Sequence, residues 1–421
     1  VLMENLSREI VMTLLEIQGF NPPEPEFTEV YYRINALLDG LKHLDELDVY
    51  HTEPWPVLPF RGLPNRPSTN AVSEEGSDTP PHVNDIAFMT IREQARLIKA
   101  KKLSPVELTK EYLGRISKYD PQLHAFNHLI SEESLKEAET AEKEIAEGKY
   151  RGPMHGIPIG VKDQMDIKGH PNTGGCDAYD DNVPDEDCTI ISRFRQAGAI
   201  IMGTLATHEF HMGGTLEFLS KQSPRNPWDL TRNPAGSSAG SGSSVAAGLL
   251  SGSMGGDTGG SIRGPGSVNG IAGLRPSWSR LSRQGIFTLS WELDTAGPLA
   301  RSAEDTAIML QAIAGYDPKD PTTSQEAVPD YSKSLTGDIS DLTVGILEEM
   351  MSDDVEPETK AIVTKAIDVL RDLGAKVESV SIPLIRKMAG VHTAICDGQA
   401  ASYHRGHLRT RYFDYDYNTR V

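Results

Sequence analysis

The chain has 421 residues, room for one large domain or two to three ordinary ones. Apolar residues make up 38% and charged residues 24%, which predicts a folded core rather than disorder. Acidic residues number 60 against 41 basic ones, a net charge of −19 that repels phosphate backbones and excludes nucleic acid as a default partner.

Two amphipathic helices are expected first, at 3–18 and 27–47; in the second, Val30, Ile34, Leu37, Leu38 and Leu41 recur at helical spacing. The opening stretch, 1–18, lacks the basic-then-apolar layout of a secretion signal. Seven prolines between His51 and Val83 then predict an extended connector. The expected organisation is an N-terminal helical extension (1–50), a proline-rich connector (51–85) and a catalytic domain (86–421). The bland role for the extension is packing or oligomerisation, which leaves a homo-oligomer open.

Beyond the connector the punctuation is clear. Ser104, Pro105 and Glu107 form a capping box with proline at the first helical position. A second helix is expected over 134–147, stopped by Gly148. The apolar run Ile157 to Val161 predicts a buried strand, followed by a helix at 189–197 and a strand at 199–202. The same order recurs as strand 343–347, helix 358–373 and strand 376–380. Strand–helix–strand units imply parallel pairing, so the body reads as an α/β layered domain. No apolar run reaches about 18 residues, so no membrane span is expected. Three cysteines, Cys176, Cys188 and Cys396, fit a reducing, cytoplasmic setting. CxxC and HExxH spacings are missing, so neither a metal nor another cofactor is expected.

The segment Asn233 to Arg275 is dominated by Gly, Ser and Ala. A flexible linker would not carry Val245, Leu249, Leu250, Met254, Ile262, Ile271 and Leu274 at intervals that suggest burial. A phosphate loop would need a lysine after its glycines. The remaining reading is a tightly packed site where backbone approaches a ligand closely. Gly259 and Gly260 precede Ser261, and successive N–H groups of such a turn converge on one point, where they can hold an oxyanion beside a serine hydroxyl. Arg263 breaks the G-x-S-x-G elbow, which disfavours an α/β-hydrolase. A base must take the serine proton. His155, His208 and His211 are candidates, and so is Lys162 at the end of a buried strand, where burial favours the neutral amine.

Three stretches carry a resemblance: GIPIGVKD (156–163), AGSSAGSGSSVAAG (235–248) and GGDTGGSIRGP (255–265). Together with DCTIISRFRQAGAIIMGTLATHEF they make the chain resemble the amidase signature family of serine hydrolases from about Ile86 to Asp317. The resemblance implies a central twisted mixed β-sheet flanked by helices, and a Ser–Ser–Lys triad. Lys162 matches the family's base. Ser237 matches its bridging serine, whose preceding peptide is cis, and Ser261 its nucleophile. The N–H groups of Thr258, Gly259, Gly260 and Ser261 match the oxyanion loop. Asp257 and Arg263 match a charged pair bracing that loop, and Ser238 a supporting hydroxyl. Pocket candidates follow from HEFHMGG and NTGGC: His208, Met212, Gly213, Gly214 and Cys176.

The departures are few. Ala235 and Ala239 stand where the family has glycines, and a Gly-Leu-Pro-Gly-type segment found in relatives is missing before Val421. The implied function is cleavage of a small-molecule amide, with esters and carbamates (urethanes) accessible to the same acyl chemistry. The alternative is the glutaminase-type A subunit of a tRNA-dependent amidotransferase, for which long N-terminal helices are unexpected. A catalytically dead scaffold is a third reading, and intact Lys162, Ser237 and Ser261 oppose it.

Overall fold

A computed structural model describes residues 5–42, 86–212, 223–353 and 355–420. The proline-rich connector at 51–85, Gly213 and Gly214 lie outside the described residues.

Helices α1 (Arg8–Ile17) and α2 (Glu24–Lys42) form the expected N-terminal pair. Val11 and Phe27 are buried between elements, and Asn35 exchanges hydrogen bonds with the backbone of Leu6. The body begins with α3 (Ile91–Lys99) and α4 (Pro105–Leu123). Ser104 caps α4 as its sequence predicts: its hydroxyl accepts from the N–H groups of Val106 and Glu107 at 3.0 and 3.2 Å. Strand β1 (Phe126–Leu129) leads into α5 (Ser131–Ala146), which starts three residues earlier than expected. Next come β2 (Pro158–Lys162), α6 (Thr189–Gln196) and β3 (Ile200–Leu205), with β2 and β3 parallel. Every residue of both strands is buried, which is why they read as unbroken apolar runs.

The glycine- and serine-rich segment is not one loop. It folds as α7 (Ala239–Ala246), β4 (Gly252–Asp257) and α8 (Arg263–Asn269). The short β5 (Ala272–Gly273), then β6 (Thr295–Ala300), complete a six-stranded mixed sheet of order β1-β3-β2-β4-β6-β5. Its centre is parallel, β3 with β2 and β2 with β4, and its flanking pairs are antiparallel. α9 (Ala303–Ile313) covers β6. The last strand–helix–strand unit, β7 (Thr343–Leu347), α10 (Pro357–Asp372) and β8 (Lys376–Val380), pairs in parallel as expected but forms its own two-stranded sheet. The 23-residue α11 (Met388–Thr410) and the single turn α12 (Tyr417–Arg420) follow, and α2 packs on α11. Among the described residues no helix is long and apolar enough to cross a membrane.

Parallel pairing of β2 and β4 sets the chemistry. Their carboxyl ends, Lys162 and Asp257, emerge at the same edge, and the turn before α7 delivers Ser237 and Ser238 there. In α/β sheets this is where ligands bind.

Candidate active site

Lys162 is completely buried. Its Nζ lies 2.7 Å from Ser237 Oγ and 3.4 Å from the Gly256 carbonyl oxygen. Among the described residues no carboxylate forms an ion pair with it. Burial lowers its pKa to about 7, against the weaker opposing pull of Asp294 and Asp257. An amine half-neutral at neutral pH, touching a hydroxyl, can take that hydroxyl's proton.

Ser237 follows a cis Gly236–Ser237 peptide and is fully buried. Ser238 ties two segments together: its N–H donates to the Ser261 carbonyl at 3.3 Å, and its hydroxyl donates to the Gly256 carbonyl at 3.2 Å. Ser261 thereby lies within one residue of the Lys162–Ser237 pair. Among the described residues the Ser237 and Ser261 hydroxyls share no hydrogen bond, and the Ser261 side chain is partly exposed.

The turn after β4 is organised by one carboxylate. Asp257 accepts from the N–H groups of Gly260 (2.9 Å) and Ile262 (3.1 Å) and from two guanidinium nitrogens of Arg263, each at 3.0 Å. Arg275 Nε stands 3.2 Å away. Burial would raise the Asp257 pKa, but these hydrogen bonds and the two guanidinium charges hold it below the usual carboxylate range. The Gly260 N–H is therefore engaged by Asp257, which departs from the expectation of four free donors at this turn. Asp257→Asn should cost about 2–4 kcal/mol by leaving buried donors mispaired, read as a lower urea midpoint.

Histidines surround the pair without touching its hydroxyls. The His208 ring covers Gly236 so closely that a Cβ there would sit 2.1 Å from Cε1, and the His208 backbone N–H donates to the Ser237 carbonyl at 3.1 Å. Burial, then the Lys162 charge, lowers the His208 pKa to about 4. His211 is buried beside Thr207 Oγ1 at 3.1 Å and held well below the ordinary histidine value for the same reasons. His155 is buried elsewhere, against Gly198 and the Arg151 N–H, and is structural. Cys176 is packed with Ala178, Phe210 and Tyr415, its thiol donating to the Asp414 carbonyl. Met212 and Phe210 border the same cavity, together with residues of α2 and α11. Asp163 is committed to Asn127 and Thr173.

Two participants had no signal in the sequence. Asp294, just before β6, accepts from the Thr258 hydroxyl at 2.6 Å and from the N–H groups of Leu289 and Ser290. His392 on α11 lies over Gly259, where a Cβ would approach its Nε2 to 2.5 Å. Both come from far along the chain, and only the fold brings them here.

A family model described as Amidase matches residues 107–418. The chain belongs to the amidase family. It is 39% identical over 313 residues to the A subunit of glutamyl-tRNA(Gln) amidotransferase from Gloeothece citriformis, covering 74% of this chain and 65% of that protein. It thus spans about two-thirds of the length of that curated relative. Among solved structures, native peptide amidase from Stenotrophomonas maltophilia superposes with a TM-score of 0.70 at 32% identity, covering 76% of this chain and 68% of the other. A chain from a vestigial protein complex, described as revealing the evolutionary origins of an s-triazine catabolic enzyme, gives 0.75 at 32% identity, covering 79% and 73%. These amidase-family structures share the central mixed sheet flanked by helices.

Proposed function

We propose that this chain hydrolyses amide C–N bonds of small molecules through an acyl-enzyme on Ser261. The observation that carries the reading is the uncompensated, buried Lys162 against Ser237 Oγ, with the Ser261 loop one residue away. Neutral Lys162 takes the Ser237 proton while Ser237 takes that of Ser261. Ser261 Oγ bonds to the acyl carbon, and the negative charge on the carbonyl oxygen is met by the N–H groups of Thr258, Gly259 and Ser261. The proton returns through Ser237 to the leaving nitrogen, the C–N bond breaks, and water releases the acid by the same route. Asp257, Arg263 and Ser238 hold the loop in register. Esters and carbamates present the same acyl carbon and belong to the proposed substrate range.

A second reading, a glutaminase that works only in complex with partner chains, is favoured by the name of the curated relative. A panel of aryl amides, aliphatic amides, carbamates and glutamine, with Ser261→Ala as blank, separates the two. Release from simple amides by the chain alone supports the first. Glutamine turnover that appears only with added partner chains supports the second. Release no greater than the blank throughout would sink both.

A further inference from the structure

Residues 5–42 lie outside the family match, which begins at 107, yet they are fastened to the end of the described chain. Glu26 of α2 is nearly buried, receives Arg420 Nη2 at 2.8 Å and accepts from the Tyr412 hydroxyl at 2.6 Å. Arg409 donates to the Gln18 carbonyl at 2.7 Å, and Arg405 to the Gln18 side chain. Leu15, Phe20, Val30 and Ile34 face Ala400 and Leu408 of α11 across a cavity of about 330 Å³.

What this module grips then grips the candidate site. The Asp416 N–H donates to both Glu209 oxygens, at 3.1 and 2.9 Å, and Tyr415 packs on Phe210 with ring centroids 5.3 Å apart. Glu209 and Phe210 adjoin His208, whose backbone holds the Ser237 carbonyl. Phe210 and His211 take positive φ values, +42° and +67°, which non-glycine residues adopt only when their surroundings impose them. On the same helix as the gripped face, His392 covers Gly259 and Gln399 accepts from Ser290.

The geometry points to residues 5–42 as a built-in partner: a separately docked two-helix module that fits the α11–α12 face and, through residues 412–416, holds the His208–Ser237 contact in place. Glu26, Tyr412 and Arg420 are its positioning residues. Covalent continuity is then dispensable, but docking is not.

The test uses the full chain with a specific protease site inserted in the 51–85 connector. After cutting, the two pieces should co-elute on size exclusion and retain hydrolysis. Glu26→Arg should release the short piece on cutting and lower kcat at least tenfold with a smaller change in KM. Adding Arg420→Glu to that variant should restore co-elution and part of kcat, a rescue that mere loss of stability would not give. Pieces of the unsubstituted chain that separate on cutting, or a released body that turns over at the undiminished rate, would overturn the inference. The kinetic arm rests on the hydrolase reading. Co-elution does not, so failure of that reading leaves the docking result intact and distinguishable.

Discussion

Ser261→Ala should reduce amide turnover about 10⁴-fold or more while leaving the fold and substrate affinity nearly unchanged. The side chain is partly exposed, and the bracing of its loop runs through Asp257, not through its hydroxyl. Removing Oγ therefore deletes the proposed nucleophile without orphaning a buried group, and stability should shift by no more than about 0.5 kcal/mol. Ser237→Ala makes the informative contrast. Ser237 is fully buried against Lys162, so its loss leaves the Lys162 amine without its closest partner and should lower both rate and stability. Steady-state kinetics and urea unfolding of the two variants, side by side, check this. Turnover by Ser261→Ala close to the unsubstituted rate would move the nucleophile elsewhere.

The legible parts of this molecule are those where local chemistry and fold agree. The capping box at Ser104 and the buried runs of β2 and β3 are readable because each is decided by neighbours within a few residues. β4 is the opposite case. Its sequence GSMGGD has little strand propensity, and it is a strand because parallel pairing with β2 and antiparallel pairing with β6 supply its hydrogen bonds. Its glycines answer to packing: a Cβ on Gly256 would sit 2.3 Å from Gln164 Nε2, a contact that no local pattern encodes. At the candidate site the motifs name Lys162, Ser237 and Ser261, but the commitment of the Gly260 N–H to Asp257 is a matter of turn geometry. Asp294 and His392 escape for a third reason. They are single polar residues in unremarkable surroundings, brought to the loop from the turn before β6 and from α11.

Lys162→Met should abolish turnover and also stabilise the protein. In the native state the amine titrates at about 7, whereas in the unfolded chain it titrates near 10.4. Between those values the unfolded chain binds more protons, so the stability of the unsubstituted protein rises with pH across that window. Below about pH 7 the penalty is complete. The gap between about 10.4 and about 7 corresponds to about 4 kcal/mol at pH 7, where the native amine is half-charged, and losing the contact with Ser237 returns about 1. A net gain of about 3 kcal/mol at pH 7 is therefore expected for methionine, whose unbranched chain fills similar space without a charge. The gap between the two proteins should narrow as pH rises towards 10, measured by urea unfolding at pH 6.5 and 9.5. Catalysis follows the same titration in the same direction: only the neutral amine accepts a proton, so the rate of the unsubstituted enzyme should climb through an apparent pKa of about 7 and level off above pH 8. A stability gap that stays constant with pH, together with a rate already level at pH 6, would mean that Lys162 does not titrate in this window. The base would then have to be sought among groups the fold places further from Ser237.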